Sequence, residues 1–297
     1  MSDPVSSASS ASSAPSGPAP VPSLDARSAC FGGEQRFYTL PSAALGGPAR
    51  FGLFDPRPGD PRPRPLLVAL AGLTCTEETF AIKAGAQRAC AAAGLMLLTP
   101  DTSPRGTGVP GADDSWDLGH GAGFYLDATE APWAARFQMQ RYLLTELLPA
   151  VGALGADLDR VGITGHSMGG HGALTLALRH PGRFRSVSAF APICAPSQCP
   201  WGEQAFGAYL GADRARWAAH DATALIAAGR RCPPLLVDQG EADQFLEGQL
   251  HPHLLEAACA AAGQPLTLRR HPGYDHGYWF VQSVVADHVA HHSVQLG

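Results

Sequence analysis

The residues best suited to chemistry lie between Gly165 and Gly169, where the chain reads Gly-His-Ser-Met-Gly. A serine hydroxyl on a sharp turn between a strand and a helix can attack an acyl carbon, and glycines bracket it because the turn brings backbone segments too close for side chains. The apolar run from Val161 predicts the strand, and the segment rich in Ala and Leu from Met168 to Arg179 predicts the helix, whose positive end would lie beneath the serine. We therefore predict Ser167 as a nucleophile.

A serine nucleophile needs a base, and the base needs an orienting carboxylate. In α/β-hydrolases these residues follow in the order Ser, Asp, His, on loops after strands. The loop after the predicted strand Leu235 to Val237 offers three acids, Asp238, Glu241 and Asp243. Asp238 lies too close to the strand and Glu241 too early in the turn, so we predict Asp243 and keep Glu241 as the alternative.

The predicted base is His276, in a turn just before the last predicted helix. His271 still belongs to the preceding strand, and Pro272 stiffens it. His291 and His292 are expected at a solvated helix end. We predict no metal site, because a third ligand for this pair cannot be placed.

Two backbone amides are expected to stabilise the oxyanion of an acyl-transfer reaction, one after the nucleophile and one in the loop after an earlier strand. Met168 and Leu73 occupy those positions, and Gly72 would let a substrate carbonyl approach. His166 and His171 flank the serine, where steric fit or substrate contact is the expected role.

The order of elements predicts an α/β fold with one doubly wound, mostly parallel sheet and helices on both faces. Alternating segments between Gln35 and Leu53 predict antiparallel strands, and buried strands are expected at Leu66 to Leu70 and Leu95 to Thr99. One helix is expected from Glu77 to Ala93, and a last helix from Tyr278 to His292.

Composition limits the function classes. The chain has 297 residues, 45% of them hydrophobic, a net charge of −5 and seven scattered cysteines. The negative charge argues against a nucleic-acid partner, and no apolar run reaches the roughly 18 residues of a membrane span. The unpatterned cysteines favour a reducing cytoplasm.

The amino-terminal segment differs in composition from the rest of the chain. Of its first 24 residues, 18 are Ser, Ala or Pro. A segment of this composition buries too little apolar surface to offset the conformational entropy lost on ordering. We predict a disordered tail over residues 1–28 and a single domain over residues 29–297.

Several motifs in one order resemble the S-formylglutathione hydrolase family, also called esterase D. The resemblance runs from about Cys30 to His292. The matching segments are Leu73 to Glu78, Asp101 to Gly106, Asp114 to Asp117, Gly121 to Tyr125, Gly165 to Gly172, Phe190 to Cys194, Pro200 to Gly202, Asp238 to Gly240, Asp243 to Leu246 and Tyr274 to His276.

The resemblance implies the α/β-hydrolase fold and hydrolysis of S-formylglutathione to glutathione and formate, with Ser167, Asp243 and His276 as the triad. It implies a small-molecule thioester substrate, activity on small activated esters, no cofactor and a possible homodimer. The substrate contacts that we predict are Cys75, Trp116, Phe124, Tyr125, His166 and Trp201, with the aromatic residues of the insertion walling the acyl pocket.

Three departures from the family pattern lie outside the triad. Ala195 stands where an asparagine is usual, Gln204 where a lysine is usual, and Gly277 where a serine follows the histidine. They leave open a general short-chain carboxylesterase or acyltransferase of the same fold. A non-enzymatic binding module is a further alternative, although such modules usually lose part of the triad, which this chain retains.

Overall fold

The computed structural model describes residues 21–297. The strands are β1 (Ser23–Cys30), β2 (Gly33–Ser42), β3 (Gly47–Asp55), β4 (Arg64–Leu70), β5 (Met96–Pro100), β6 (Ala156–Gly165), β7 (Ser186–Phe190), β8 (Leu235–Gly240) and β9 (Leu266–His271). The α-helices are α1 (Glu77–Lys83), α2 (Gln87–Ala93), α3 (Met139–Arg141), α4 (Leu148–Ala153), α5 (Met168–Arg179), α6 (Pro200–Leu210), α7 (Arg214–Trp217), α8 (Ala222–Ala227), α9 (Pro252–Ala262) and α10 (Tyr278–Leu296). Residues 142–147 and 246–250 form π-helical turns.

The strands form one sheet in the order β1-β2-β3-β5-β4-β6-β7-β8-β9. Pairing is antiparallel from β1 through β3 to β5 and parallel from there to β9. The central strands are apolar and buried, as expected where helices cover both faces. The predicted doubly wound α/β fold is confirmed.

The chain direction across the sheet reverses beside β4. From β4 the chain moves to β5 on one side, and it later returns to place β6 on the other side. In open α/β sheets the crevice beyond the carboxyl ends of two such strands is where ligands bind. The loops after β4 and β6 carry Gly72 and Ser167, so the topology brings them together.

Two expectations about elements are corrected. The predicted tail extended to residue 28, but Ser23 to Ser28 belong to β1, which pairs with β2 at the sheet edge. Its side chains are mostly exposed, so backbone pairing rather than apolar burial orders it, and composition gave no sign of this. The rest of the predicted tail, residues 1–20, lies outside the described residues.

The segment from Glu77 to Ala93 is two helices instead of one. Helix α1 ends at Lys83, and Gly85 adopts a left-handed conformation with φ of 68° before α2 begins at Gln87. A left-handed residue interrupts the helical hydrogen-bond ladder, and glycine allows it without steric cost.

Candidate active site

The turn that carries Ser167 is strained, and backbone contacts hold it. Ser167 has φ of 59° and ψ of −119°, a region that side chains other than glycine seldom adopt. Its amide donates to the carbonyl of Phe190 at 2.9 Å, and its own carbonyl accepts from the amide of His171 at 3.0 Å. Such strain persists only where the surroundings fix it, and it is common at active sites.

Glycines make this turn possible. A Cβ at Gly165 would lie 2.2 Å from the carbonyl oxygen of Gly169, and a Cβ at Gly169 would lie 2.0 Å from that of Leu70. Neither contact is tolerable for a side chain. The spacing of the glycines therefore reflects the approach of β4, β6 and α5 at the turn.

Asp243 and His276 form a hydrogen-bonded pair. The Nδ1 of His276 lies 2.6 Å from the Oδ2 of Asp243, whose side chain is fully buried. The amide of Phe245 and the Nε2 of Gln239 also donate to this carboxylate, at 2.8 and 3.2 Å. These donors fix the carboxylate, which in turn orients the imidazole so that its Nε2 is free to act as a base.

Ser167 and His276 line the same cavity. Among the described residues, the structure shows no direct hydrogen bond between the hydroxyl of Ser167 and the ring of His276. In enzymes without bound substrate this contact is often long and tightens when the substrate binds. The two groups therefore share one site, and the hydrogen bond that would carry the proton from the Ser167 hydroxyl to the His276 ring is not formed in this structure.

The residues weighed as alternatives to the acid and the base lie elsewhere. Asp238 is inside β8 and fully buried, where Arg269 and His288 bind it. Burial alone would raise its pKa, but the hydrogen bonds from His288 and Arg269 outweigh that effect and lower the pKa of this carboxyl well below its usual range. His271 is the last residue of β9, and the side chain of Glu241 is exposed.

The amides of Leu73 and Met168 are available to an oxyanion. Within residues 21–297 neither amide donates a hydrogen bond, whereas the neighbouring amides of Thr74 and Cys75 are used, donating to Gly121 and Gly72. Thr74 has φ of 67°, which turns the loop sharply. The hydroxyl of Tyr125 donates to the carbonyl of Ala71 at 2.8 Å and supports the loop from below.

A cavity of 240 Å³ opens above these groups. Four predicted contact residues line it: Cys75, Trp116, His166 and Trp201. Gly72, expected to let a substrate carbonyl approach, also lines it, and sequence reasoning missed three others: Thr74, Phe245 and Tyr278. Phe245 and Tyr278 each follow a triad candidate by two residues, and this spacing was the available signal for them.

Aromatic rings form one wall of the cavity. Trp116 meets Trp201 edge to face at 5.7 Å, Trp201 packs on Phe245 at 4.7 Å, and Phe245 meets the ring of His276 edge to face at 5.0 Å. Trp116 is 55% exposed, so it lies at the mouth.

The expected wall residues Phe124 and Tyr125 do not line the cavity. Phe124 packs on His171 and Phe206, and Tyr125 lies against Gly172, where a Cβ would come within 2.6 Å of its ring. Both have positive φ, which directs this stretch of the insertion into the core. They act behind the site, Phe124 through α5 and Tyr125 through the loop after β4 that carries Leu73.

Cys75 is the thiol that lines the cavity. Burial raises its pKa, an effect that Thr79 and Tyr278 oppose as hydrogen-bond partners. A raised thiol pKa means little thiolate at neutral pH and slow reaction with electrophiles.

Comparison with known proteins indicates the family of the chain. An esterase family model matches residues 42–292. The mouse S-formylglutathione hydrolase is 48% identical over 271 residues, covering 90% of this chain and 96% of the relative, and the rat enzyme is 46% identical over the same shares. The chain belongs to the S-formylglutathione hydrolase family.

A solved structure of a member of the family extends the comparison to the fold. The S-formylglutathione hydrolase of Agrobacterium tumefaciens superposes with a TM-score of 0.89 at 46% identity, covering 92% of this chain and 99% of that one.

The departures from the S-formylglutathione hydrolase pattern lie around the site. Ala195 is fully buried. The Nε2 of Gln204 donates to the Oδ1 of Asp117 at 3.2 Å, next to Trp116 at the mouth. Gly277 precedes α10, and its amide donates to the carboxylate of Asp275.

A second set of Ser, His and Asp side chains is buried between α10 and the sheet. Ser188 bonds to His288 and His292 at 2.9 and 2.8 Å, and His288 reaches Asp238 at 3.1 Å. These four residues are at most 1% exposed, and none of them lines the cavity. No acyl group can reach Ser188, so the network stabilises the packing of α10.

This network corrects the expectation of a solvated helix end. His292 is fully buried and also bonds to Ser186 at 2.6 Å, and His291 reaches the carbonyl of Val187. Two adjacent histidines gave no sign of this, because helix α10 continues to Leu296 and turns both rings toward β7.

Within residues 21–297 no group of three or more His, Cys, Asp or Glu side chains is arranged to hold a metal ion. No helix in that part of the chain has the length and apolar character needed to cross a bilayer.

Proposed function

We propose that this chain hydrolyses S-formylglutathione to glutathione and formate by covalent catalysis on Ser167. The observation that carries the chemistry is the pair Asp243 and His276, joined at 2.6 Å, in which His276 lines the same cavity as Ser167. The substrate follows from the relatives, which are S-formylglutathione hydrolases at 46–48% identity over 90% of this chain.

In the first half of the reaction, His276 takes the proton of the Ser167 hydroxyl as the serine oxygen attacks the thioester carbonyl. The amides of Leu73 and Met168 stabilise the oxyanion, each contributing roughly 2.7–4 kcal/mol. The carbon–sulfur bond then breaks and glutathione leaves, and the proton held by His276 passes to the departing sulfur or to water, so that His276 is again a neutral base. A thiolate is a good leaving group and needs little protonation.

In the second half, water attacks the formyl ester on Ser167. His276 takes a proton from the water and returns it to the serine oxygen, which releases formate. The small cavity and its aromatic wall suit a formyl group. The leaving thiol extends toward the mouth beside Trp116.

One observation favours a second candidate, a general short-chain carboxylesterase. In the part of the chain that the structure describes, the cavity lining includes no lysine or arginine to pair with the carboxylates of glutathione. Gln204 contacts Asp117 at the mouth with a neutral amide. Uncharged esters would therefore meet no electrostatic disadvantage.

A comparison of kcat/KM separates the candidates. The substrates are S-formylglutathione, S-formyl-2-mercaptoethanol as its uncharged thioester counterpart, and p-nitrophenyl formate, acetate and butyrate. We expect S-formylglutathione to be preferred over the uncharged thioester by at least about tenfold, a difference of 1.4 kcal/mol. Equal values would favour the esterase, and Ser167→Ala is the control that should abolish turnover of all five.

Assembly and location complete the proposal. We propose a homodimer, to be tested by sedimentation velocity across a range of protein concentrations, with a monomer at every concentration as the contrary result. All seven cysteines are unpaired, which supports a reducing compartment such as the cytoplasm, to be tested by cell fractionation.

A further inference from the structure

Lys83 is the only lysine of a chain that otherwise has twenty arginines as its cations. It is the last residue of α1, and its side chain is exposed. The two acidic residues of the same helix, Glu77 and Glu78, are paired with Arg50. Among residues 21–297 no carboxylate forms an ion pair with the ammonium of Lys83, so this charge is available to an external anion.

Two helices connect Lys83 to the cavity. Tyr278, in the first turn of α10, lines the cavity, and so does Cys75, just before α1. Four residues further along α10, the side-chain amide of Gln282 donates to the carbonyl of Lys83 at 2.6 Å. On α1, Thr79 is a hydrogen-bond partner of the Cys75 thiol, and Lys83 follows it by four residues. On both helices Lys83 therefore lies about one turn outward from the cavity lining.

The side chain of Lys83 is directed toward the cavity. Helical side chains tilt toward the amino end of their helix, and the amino end of α1, capped by Thr76, directly follows Cys75. Burial raises the pKa of the Cys75 thiol, and the charge of Lys83 is among the influences that lower it. A charge that acts on a thiol in the cavity lining also acts on an anion at the rim of that cavity.

Arg105 also lies near this loop, but its charge is already paired. One of its guanidinium nitrogens, Nη2, donates to the carbonyl of Cys75 and to the carboxylate of Asp101, each at 2.7 Å. A guanidinium that is held by a carboxylate of its own chain adds little net charge for a ligand. Lys83 is therefore the better partner for a substrate anion.

A glutathione thioester needs such a cation. At neutral pH it carries two carboxylates and one ammonium, and a protein with a net charge of −5 repels it. The ammonium of its γ-glutamyl group offsets the carboxylate beside it, whereas the glycine carboxylate has no cation nearby. This glycine directly follows the cysteine that carries the sulfur and spans roughly 3.5 Å when extended. The flexible four-carbon stem of lysine covers the remaining distance over one helical turn, about 5.4 Å.

We propose that Lys83 binds the glycine carboxylate of the glutathione thioester at the rim of the cavity. The inference rests on the proposed function, and it assigns to a residue outside the lining the charge recognition that the lining does not supply. The contact is remote from the reacting carbonyl and holds the substrate and the transition state equally. It therefore lowers KM and leaves kcat unchanged.

The experiment is a cycle between Lys83 and the glycine carboxylate. Steady-state kinetics are measured for S-formylglutathione and for its glycine monoethyl ester, which lacks this charge, in wild type and in Lys83→Gln. We expect Lys83→Gln to raise KM for S-formylglutathione by about threefold to fivefold, the range of an exposed ion pair, and to leave kcat unchanged. The KM for the ethyl ester should be the same in both proteins. At about 1 M salt the difference for S-formylglutathione should shrink, because exposed charges are then screened.

Two further variants serve as controls. Lys83→Arg keeps the positive charge and should keep the KM of the wild type. Arg88→Gln removes one positive charge from an exposed residue of α2, whose guanidinium lies over the ring of Phe31 and does not line the cavity. It should leave KM unchanged for both substrates, which separates a local contact from the effect of net charge.

An unchanged KM for S-formylglutathione in Lys83→Gln would overturn the proposal. An equal rise of KM for both substrates would also overturn it, and would assign Lys83 a structural role as a cation at the carboxyl end of α1. Failure of the proposed function gives a different result. The wild type would then turn over p-nitrophenyl acetate but not S-formylglutathione, which would refute the substrate and with it the role of Lys83.

Discussion

At the scale of single residues, the acid of the triad is the role for which the sequence offers the most candidates. Three carboxylates lie within six residues at the end of β8 and just after it, and they differ in environment rather than in chemistry. Asp238 pairs with Arg269 inside the sheet, Glu241 is exposed to water, and Asp243 is buried against His276. Only the carboxylate of Asp243 is placed to select the tautomer of His276.

Asp243→Asn should lower kcat by about 10⁴-fold, because the amide no longer holds the required tautomer of His276. The midpoint of thermal unfolding should change little, since an amide fills the same volume. Steady-state kinetics and calorimetry on the purified variant measure both quantities.

The matched control is Glu241→Gln, which removes an exposed carboxylate from the same loop. It should keep full activity. A large loss in Glu241→Gln together with normal turnover in Asp243→Asn would reverse the assignment of the acid.

At the scale of elements, the site depends on how closely α5 approaches β4 and β6. The helix begins directly after Ser167, so its first-turn amides point at the site and its positive end favours a developing anion. Gly169, in that first turn, makes the close approach to β4 possible.

Gly169→Ala should therefore displace the turn that carries Ser167 and remove most of the activity. The added methyl group would lie 2.0 Å from the backbone oxygen of Leu70, and such overpacking typically costs about 1–3 kcal/mol. Labelling of Ser167 by a fluorophosphonate reports the geometry of the turn, and urea unfolding reports stability.

Gly207→Ala in α6 is the comparison for this prediction, because only Trp217 comes as near as 4.0 Å to the added carbon. It should keep full labelling and gain about 0.5–1 kcal/mol from helix propensity. Normal labelling and activity in Gly169→Ala would show that the close approach is not required.

At the scale of the whole molecule, buried histidines make the fold sensitive to acid. His166, His171, His288 and His292 are all at most 5% exposed, and burial lowers the pKa of each. A group whose pKa is lower in the folded than in the unfolded state opposes folding when it must be protonated. The contribution of these neutral rings to the free energy of unfolding is fully present above pH 6.5 and is lost as the pH falls.

His171 gives the clearest window. Burial lowers its pKa to about 4, with Arg179 lowering it further and the carbonyl of Phe124 opposing the change. The unfolded chain binds a proton near pH 6.5 that the folded chain refuses until about pH 4, so stability should fall across this interval by up to about 3 kcal/mol from this residue.

His171→Gln should reduce that loss, because glutamine does not titrate. Urea unfolding at several pH values between 7 and 4 measures it, and His253→Gln, a change of an exposed histidine, is the control. An identical pH dependence in wild type and His171→Gln would contradict the assigned burial effect.

The sequence by itself determined the fold class and the order of the predicted catalytic residues along the chain. The apolar strands, the glycines around Ser167, and an acid and a histidine after later strands all follow from local pattern, because parallel strands end at one edge of a sheet. The resemblance of its motifs also indicated the family to which the chain belongs.

Only the tertiary structure decided which side chains share the cavity. Phe124 and Tyr125 lie behind it, Phe245 and Tyr278 line it, and His292 is buried in a polar network rather than solvated. Local pattern gives the strand ends, but the direction of a side chain on a loop depends on backbone angles and on partners far along the chain. Burial, which lowers the pKa of His166, His171, His288 and His292, exists only once those distant segments have packed.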